Sequence, residues 1–361
     1  MIFITGFPGF LGSALLPRLL ERAPTATATC LVQSRFAALA RTRLEELSEE
    51  HPALAGRIRL VEGDITAPDL GLGDHGAALA REVEEVYHLA AVYDLSVRRD
   101  LGMHVNVDGT RHVLGFADRC PLLRRVHYVS TCYVSGAHEG TFHEHDLAVG
   151  QRFHNFYEET KYLAEVEVRE RIATGLPATI YRPAIVVGDS RTGATQKYDG
   201  PYFGIRLLLR QPGIAVLPVV GDVRLFEFNI VPRNFVVDAI AYLSALPAAV
   251  GKTYHLADPR PLTVDGVFRE IARATGRTVI RVPMPLGAAR WSLDHVPGVQ
   301  QLIQTPSDAL DYQVHPTHYD TAQATRDLAN SGVACPPFAS YVDRLVAFAR
   351  ANPSLGSAAM V

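Results

Sequence analysis

The sequence predicts an α/β fold in which a doubly wound parallel sheet carries a smaller C-terminal lobe. Short β-branched runs alternate with longer helical patterns through the first half of the chain. This alternation is typical of a parallel sheet with helices on both faces, and strands buried on both faces have the continuous apolar runs found here. The 361 residues, 48% of them hydrophobic, suffice for two domains with a buried core.

The predicted strands are short apolar segments that end at turn residues. In the first half of the chain they are Ile2–Thr5, Ala28–Gln33, Ile58–Gly63, Val83–Ala90, Arg125–Ser130 and Ala178–Val187. Between them, apolar residues recur at three- and four-residue intervals, which predicts helices. Two of these helices are Leu11–Arg22 and Val107–Arg119.

The pattern changes after Gly188. The polar, glycine-rich segment Asp189–Gly200 predicts a mobile loop over a site. Regular elements then resume with two predicted strands, Phe226–Val231 and Thr253–Ala257. A helix is predicted between them at Phe235–Leu246, and another near the end of the chain at Ser340–Ala351.

Composition excludes several classes of protein. The 35 Lys and Arg residues nearly balance 38 Asp and Glu, for a formal net charge of -3, so no nucleic-acid partner is expected. Cys30, Cys120, Cys132 and Cys335 lack the density and spacing of a disulfide or zinc framework. No apolar stretch reaches the roughly 18 residues of a transmembrane segment, and no signal peptide is recognisable. We expect a cytoplasmic protein.

A glycine-rich turn follows the first strand. Glycines let the backbone turn tightly and approach a pyrophosphate, whose charge is held by amides at a helix N-terminus. The spacing is G-x-x-G-x-x-G, not the G-x-G-x-x-G of the standard dinucleotide fingerprint, and a plain strand-to-helix turn is the alternative. Its place at the first junction favours cofactor binding by Thr5, Gly6, Phe7, Gly9, Phe10, Leu11 and Gly12.

The end of the second strand predicts which dinucleotide binds. An acid about 20 residues past the glycines would bind the ribose hydroxyls of NAD, but no carboxylate occurs from Ala23 to Leu44. Arg35 offers a planar, permanent charge for a 2′-phosphate, although a solvated arginine at a helix start is the alternative. NADPH is therefore the predicted cofactor. Asp64 is placed to contact the adenine edge or to cap the next segment.

These assignments divide the chain into two domains. Residues 1–190, with returning elements around residues 225–258, are predicted to form an NADP-binding Rossmann-like domain. Residues 190–225 and 259–361 are predicted to form a substrate-binding lobe. The lobe is thus expected to be assembled from two separated segments.

A tyrosine and a lysine lie one helical turn apart. Tyr157 and Lys161 share a helix face because they are four residues apart. A phenol with a pKa of about 10 is a poor acid–base group at pH 7. Lowering this pKa by about three units requires roughly 4 kcal/mol, and one ammonium about 4 Å away interacts with the phenolate by about that amount. Thr131 ends a strand at the edge of the sheet where ligands bind, placed to hydrogen-bond a substrate carbonyl beside Tyr157. A decorative pair on a surface helix is the alternative for Tyr157 and Lys161, and a β-propensity residue at a strand end is the alternative for Thr131.

Taken in order, these motifs resemble the extended short-chain dehydrogenase/reductases. The resemblance covers about residues 1–260 and lies in Gly6, Gly9 and Gly12, Gly63-Asp64, His88-Leu89-Ala90-Ala91, Asn106-Val107-Asp108-Gly109-Thr110, Thr131, Asn155 before Tyr157 and Lys161, and Tyr181-Arg182-Pro183. Within that superfamily the chain is most similar to the fatty acyl-CoA reductase and carrier-protein thioester reductase branch, called the male-sterility type. The branch matches are Gly63-Asp64-Ile65-Thr66 through Leu72, Val187–Gly193, Asp199–Tyr202 and Asn229–Pro232.

The resemblance implies roles for individual residues. Tyr157 would protonate the developing oxyanion, with Thr131 orienting it. Lys161 would bind the nicotinamide ribose and depress the pKa of Tyr157, and Asn106 would help to hold this network. Hydride from NADPH would convert a thioester to a hemithioacetal and then to an aldehyde, with an alcohol as the product of a second hydride. The cofactor contacts implied besides the glycine turn are Arg35, Asp64, Ile65, Ala90, Tyr157, Lys161, Arg182, Pro183 and Ile185.

Two departures from the family bear on substrate and cofactor. The chain has no recognisable adenylation or carrier domain, so the acyl group is expected to arrive already activated on CoA or a carrier protein. Many reductases of this branch carry Arg at the end of the second strand, where this chain has Gln33. The choice of NADPH therefore rests on the missing acid, and Arg35 is the arginine assigned to its 2′-phosphate.

Several alternatives stay open at the level of sequence. A ketone reductase of hydroxysteroid or dihydroflavonol type and a non-catalytic NADP sensor share the fold, and a homodimer is one assembly to consider. A cluster of His138, His143, His145, Glu139, Glu144 and Cys132 suggests a metal, but a loop rim explains it, so no metal is predicted. Trp291, Tyr202 and Phe203 are candidates for an acyl pocket or for the core.

Overall fold

The computed structural model describes residues 1–295 and 307–356. In chain order the strands are β1 (Ile2–Thr5), β2 (Ala28–Val32), β3 (Ile58–Glu62), β4 (Glu85–His88), β5 (Arg125–Val129), β6 (Gly140–Phe142), β7 (Ala178–Pro183), β8 (Ile185–Val187), β9 (Ile214–Val220), β10 (Ile230–Pro232), β11 (Thr253–Leu256), β12 (Thr278–Met284) and β13 (Thr317–Tyr319).

The helices alternate with the strands through the first half of the chain. In chain order they are α1 (Phe10–Arg22), α2 (Ala37–Glu50), α3 (His75–Ala80), α4 (Arg99–Gly102), α5 (Gly109–Ala117), α6 (Phe156–Ala173), α7 (Pro201–Leu209), α8 (Arg233–Ala245), α9 (Val264–Thr275), α10 (Leu286–His295), α11 (Ala322–Leu328) and α12 (Val342–Ala351). Within the described ranges, no helix combines the length and apolarity needed to cross a membrane.

Seven strands form one parallel sheet in the order β11-β7-β5-β4-β1-β2-β3. Each neighbouring pair is parallel and in continuous register; for example, Ile2 to Thr5 pair with Ala28 to Leu31. The chain order reverses between β1 and β4, and ligands bind outside the carboxyl ends of the strands at such a point. This arrangement confirms the predicted Rossmann-like sheet.

Helices cover both faces of this sheet because its strands alternate their side chains between two cores. Ile2 and Ile4 of β1 pack in a core shared with α1, α2 and α8, whereas Phe3 packs in a core shared with α3, α5 and α6. Both cores are built from residues that are almost fully buried. The sheet is thus a rigid support for the loops at its carboxyl edge.

The predicted strand from residue 178 to 187 is two strands in the structure. Pro183 ends β7 because it has no amide to continue the ladder. The Ala184 amide still donates to Leu256 O of β11 at 3.1 Å, but the Ile185 amide donates to Asn229 O at 3.1 Å. The chain therefore changes partners within one residue, and β8 pairs with β10.

Two segments that are distant in sequence pair beside the sheet. β9 and β12 run parallel, and their register pairs Ile214 with Thr278 at one end and Val220 with Met284 at the other. Helices α7, α9 and α12 pack nearby around one apolar cluster. In contrast, β13 pairs with β6, and α11 packs into the core that contains α8 and β11. Part of the predicted lobe segment 259–361 therefore lies against the sheet domain.

Candidate active site

The glycine turn brings the backbone of three chain segments into close contact. Gly6 has φ +90°, and a Cβ there would lie 2.8 Å from the Ala90 amide nitrogen. A Cβ on Gly12 would lie 2.5 Å from Gly6 O, while the Gly9 amide donates to that oxygen at 2.9 Å. Helix α1 begins at Phe10. The turn thus presents bare backbone and a helix N-terminus at the switch point, which fits a pyrophosphate.

A buried polar chain fixes β1 beside β4. The Thr5 hydroxyl contacts His88 Nδ1 at 2.8 Å and accepts from the Ala90 amide at 3.2 Å. His88 Nε2 contacts the Thr110 hydroxyl at 3.0 Å. Burial, with a smaller effect of the charge of Lys161, lowers the pKa of His88 to about 3. A neutral His88 therefore links these elements and is no acid–base group at pH 7.

Arg35 and Asp64 lie together beyond β2 and β3. Arg35 Nε donates to Gln33 Oε1 at 2.8 Å, and the guanidinium lies 4.9 Å from the Phe36 ring centroid. Burial opposes ionisation of Asp64, but hydrogen bonds from Thr66 and Gln33 and the charge of Arg35 outweigh it and lower its pKa. Asp64 accepts from the Thr66 amide and hydroxyl, at 2.9 and 2.8 Å. Both predicted residues thus border the same end of the sheet.

Thr131 and Tyr157 meet where β5 ends and α6 begins. Thr131 caps a short 3-10 turn, with its hydroxyl accepting from the Tyr133 amide at 3.2 Å. Asn155 caps α6 by accepting from the Glu158 amide at 3.0 Å, which places Tyr157 in the first turn. Burial raises the pKa of Tyr157, and the neighbouring Thr131 side chain only partly offsets this. Tyr157 is therefore a protonated phenol at neutral pH.

Lys161 points at β5 instead of at Tyr157. Its ammonium donates to Val129 O at 2.9 Å and to the Tyr128 hydroxyl at 3.0 Å. Burial lowers the pKa of Lys161 to about 7, against the opposing charge of Glu165. The pKa of Tyr157 is raised and not depressed, because burial of the phenol is the dominant effect. The roles that the family resemblance implies for Lys161, toward the ribose and the pKa of Tyr157, stay predictions.

Asn106 ties the loop after β4 to α6. It lies in a π-helical turn, Met103–Asp108, between α4 and α5. Its side chain accepts from the Val92 amide at 2.9 Å and donates to Val92 O at 3.3 Å and to the Thr160 hydroxyl at 3.1 Å. These bonds use both ends of the amide, so Asn106 fixes the backbone beside the predicted site.

The side chain of Arg182 lies inside the protein. It is fully buried, and its Nη2 donates to Glu165 Oε1 at 2.6 Å and to Asp146 O at 2.6 Å. Its Nη1 contacts His255 Nε2 at 3.0 Å. Its side chain is thus engaged in a buried ion pair with Glu165, and the cofactor roles predicted for Arg182 and Pro183 stay predictions.

The remaining predicted contacts border the site from two sides. Ile65 is buried beside Gly109, where a Cβ would lie 2.8 Å from Ile65 Cδ1. Ala90 lies against Gly6, and Ile185 lines a cavity. The backbone from Ala90 to Tyr93 runs from the glycine turn to that cavity, because Ala90 lies against Gly6 and Tyr93 lines the cavity. The ring of Tyr93 meets the ring of Tyr157 edge-on, with 5.0 Å between centroids.

The cavity lies between the sheet domain and the β9–β12 pair. It has a volume of about 330 Å³ and mostly apolar walls, with Tyr157 as one lining residue. Phe203 lines it, whereas Tyr202 is buried in the core and accepts from the Gly188 amide at 3.1 Å. Trp291 is 60% exposed and stacks on His295. Lining residues that the sequence did not indicate include Tyr93, Tyr133, Lys197, Leu217, Phe268 and Tyr312.

The histidine-rich loop holds structural contacts. His143 Nδ1 contacts Asp320 at 2.9 Å. Glu144 accepts from the amides of His255, Gln323 and Ala324, and burial raises its pKa to about 7 despite these bonds. Within residues 1–295 and 307–356, no three His, Cys, Asp or Glu side chains are grouped as a metal site requires.

The sequence matches one family model over most of its length. The model, described as male sterility protein, matches residues 4–240. A linear gramicidin synthase of Brevibacillus parabrevis is 32% identical over 281 residues, which are 74% of this chain and 5% of that protein. The fatty acyl-CoA reductase wat of Drosophila melanogaster is 26% identical over 275 residues, 66% of this chain and 53% of that protein. The chain thus spans only part of these relatives.

The fold also matches a solved R domain. The terminal R domain from the myxalamid PKS-NRPS biosynthetic pathway is 30% identical, with a TM-score of 0.82, covering 99% of this chain and 92% of that chain. These matches confirm the resemblance seen in the motifs. The chain therefore belongs to the male sterility protein family and carries its NAD(P)-binding domain.

Proposed function

We propose that this chain reduces an acyl thioester to an aldehyde, with NADPH as hydride donor and Tyr157 as proton donor. The observation that carries the proposal is the position of Tyr157, which lies in the first turn of α6 and lines an apolar cavity of about 330 Å³. An apolar cavity that reaches a proton donor suits an acyl chain whose carbonyl carbon lies beside the phenol.

The side chains around Tyr157 have separate tasks in this reaction. When bound at the glycine turn, the cofactor supplies the hydride. Tyr157, protonated at neutral pH, donates its proton to the oxyanion that forms, and the Thr131 hydroxyl orients that oxygen. Lys161 is proposed to hold the ribose beside the strand end, and Asn106 fixes the adjoining loop. Donors held in place by a rigid, water-poor site stabilise developing charge better than water does.

The choice of NADPH rests on the end of β2. Arg35 borders the place where the adenosine ribose binds in such folds, and its charge suits a 2′-phosphate. No carboxylate occurs from Ala23 to Leu44 that would repel that phosphate. Glu62 is nearby, where it accepts from the Ser34 hydroxyl, so Arg35 is proposed to supply the compensating charge.

The thioester is proposed to arrive on CoA or on a carrier protein. The names of relatives support this, because one is a fatty acyl-CoA reductase and another is a linear gramicidin synthase. The solved structure of 30% identity is a terminal R domain of a PKS-NRPS pathway. Both kinds of donor present the same chemistry, a thioester carbonyl, to the cavity.

A substrate panel with product identification tests the proposal. The purified protein is mixed with NADPH or NADH and with an acyl-CoA, an acyl-carrier thioester, an aldehyde or a ketone. We expect NADPH oxidation with the thioesters and one aldehyde released for each thiol. Turnover of ketones without turnover of thioesters would identify a ketone reductase instead. NADPH binding without turnover of any substrate would identify a sensor.

A further inference from the structure

The cavity beside Tyr157 has a charged corner. Lys197 Nζ lies 2.8 Å from Asp199 Oδ2 and 3.7 Å from the ring centroid of Tyr93. That ring meets the ring of Tyr157 edge-on, with centroids 5.0 Å apart. All four side chains line the cavity. The Lys197 ammonium is therefore separated from the proposed proton donor by one aromatic ring.

Lys197 is distinctive within this cavity. Among the described residues that line it, Lys197 is the one Lys or Arg, and the walls around the charged corner consist largely of aliphatic and aromatic side chains. The carboxylate of Asp199 and the face of Tyr93 hold the ammonium on two sides. Both contacts compensate for its partial removal from water. A cation fixed in such surroundings acts strongly on an anion formed nearby.

The proposed reaction forms a thiolate leaving group that Tyr157 does not protonate. Hydride addition to the thioester carbon gives an alkoxide, which takes the proton of Tyr157. In the second step the hydroxyl proton returns to the Tyr157 phenolate, the C=O bond forms and the C–S bond breaks. The electron pair of that bond leaves on sulfur as a thiolate. Solvent protonates the thiolate after release, so one proton is consumed for each aldehyde formed.

We propose that Lys197 stabilises the departing thiolate. This inference rests on the proposed function, because a ketone or aldehyde has no such leaving group. The ammonium forms an ion pair with the sulfur as the C–S bond breaks, while Asp199 and Tyr93 keep it at the edge of the cavity. Thr131 and Tyr157 thus act on the oxygen of the hemithioacetal, and Lys197 acts on its sulfur.

The test compares substrates that differ in the leaving group. Lys197→Met, Lys197→Arg and wild type are assayed with an alkyl thioester, with an aryl thioester of the same acyl group and with the matching aldehyde. We expect Lys197→Met to slow the alkyl thioester by about 10- to 100-fold. The aryl thioester, which leaves as a less basic thiolate, is slowed much less. Aldehyde reduction stays at the wild-type rate, and Lys197→Arg restores most of the loss.

Two controls separate this role from a merely structural one. Tyr93→Phe removes only the hydroxyl and keeps the ring under the ammonium, so its preference among the three substrates should match wild type. If Lys197→Met slows all three substrates equally, Lys197 only holds the loop in place and the inference fails. If wild-type protein does not reduce thioesters at all, the proposed function fails instead.

Discussion

Tyr157 and Lys161 lie on one face of α6 but contact different partners. Their four-residue spacing was sufficient to predict the shared face, because that spacing is a property of any α-helix. The spacing does not show where a flexible lysine side chain ends, and its ammonium bonds to β5. Arg182 shows the same limit, because only the folded chain shows that Glu165 pairs with it. Residue types and order are therefore predictable here, and side-chain partners are not.

Lys161 gives a prediction for the pH dependence of stability. Its folded pKa of about 7 lies below the ordinary value of 10.5. Between these values the unfolded chain binds one proton more, so wild-type stability gains about 1.4 kcal/mol per pH unit from this group. The gain is absent below pH 7, where both states are charged.

Lys161→Met lacks this gain. Unfolding free energies of both proteins, measured in urea from pH 6 to pH 10, should therefore differ by an amount that shifts in favour of wild type above pH 7. A difference that stays constant over this range would mean that the ammonium is not perturbed by burial.

Arg35 gives a prediction about cofactor choice. Arg35→Ala should raise the apparent KM for NADPH by about 10- to 100-fold, the usual loss for a hydrogen bond to a charged group. The KM for NADH should hardly change, because NADH has no 2′-phosphate. Arg41→Ala removes an exposed arginine of α2 as the matched control. Equal increases for both cofactors would place the phosphate site elsewhere.

At the scale of elements, the alternation of strands and helices predicted the sheet, since burial on both faces leaves a strong pattern. The change of partner after Pro183 was not predicted, because residues 178–187 are mostly apolar or β-branched and proline alone does not show which strand comes next. The π-helical turn that holds Asn106 also has no clear pattern in sequence. Local interruptions of regular elements thus surround the candidate site.

Phosphate binding at the start of α1 can be tested by substituting Gly12, with Gly115 of α5 as the control position. Gly12→Ala would place a methyl group 2.5 Å from Gly6 O, so the turn must open and NADPH affinity should fall by about tenfold or more. Gly115→Ala in α5 is the matched control, because no atom lies within 4 Å of the new methyl group. It should stabilise the helix by up to about 1 kcal/mol and leave affinity unchanged. Titration of cofactor fluorescence measures both; unchanged affinity in Gly12→Ala would argue against phosphate binding at this turn.

At the scale of the whole molecule, two separated segments close the cavity over the sheet edge. The parallel pairing of β9 with β12 joins residues 214–220 to residues 278–284. The prediction of a lobe from two segments is consistent with this pairing, but β13 and α11 pack against the sheet domain. Chain separation in sequence carries no information about such pairings, which depend on how surfaces fit once the sheet has formed.

The depth of the cavity can be tested by filling it. Gly204 lines the cavity from α7, and a methyl group there would lie 3.7 Å from Phe268 Cε1. Gly204→Leu should therefore lower kcat/KM for long acyl thioesters about tenfold or more while sparing short ones. Gly287→Leu in α10 is the control, since a Cβ there meets open space. Equal effects on short and long chains would mean that the acyl group binds elsewhere.

The most direct test of the central claim is single-turnover aldehyde formation by Tyr157→Phe with an acyl thioester and NADPH. Removing the phenol hydroxyl takes away the proton donor but leaves the glycine turn untouched. We predict a rate lowered by about 10²- to 10⁴-fold with NADPH affinity within about twofold of wild type. Aldehyde formation at the wild-type rate, with Tyr157→Phe properly folded, would contradict the assignment of Tyr157 as the proton donor.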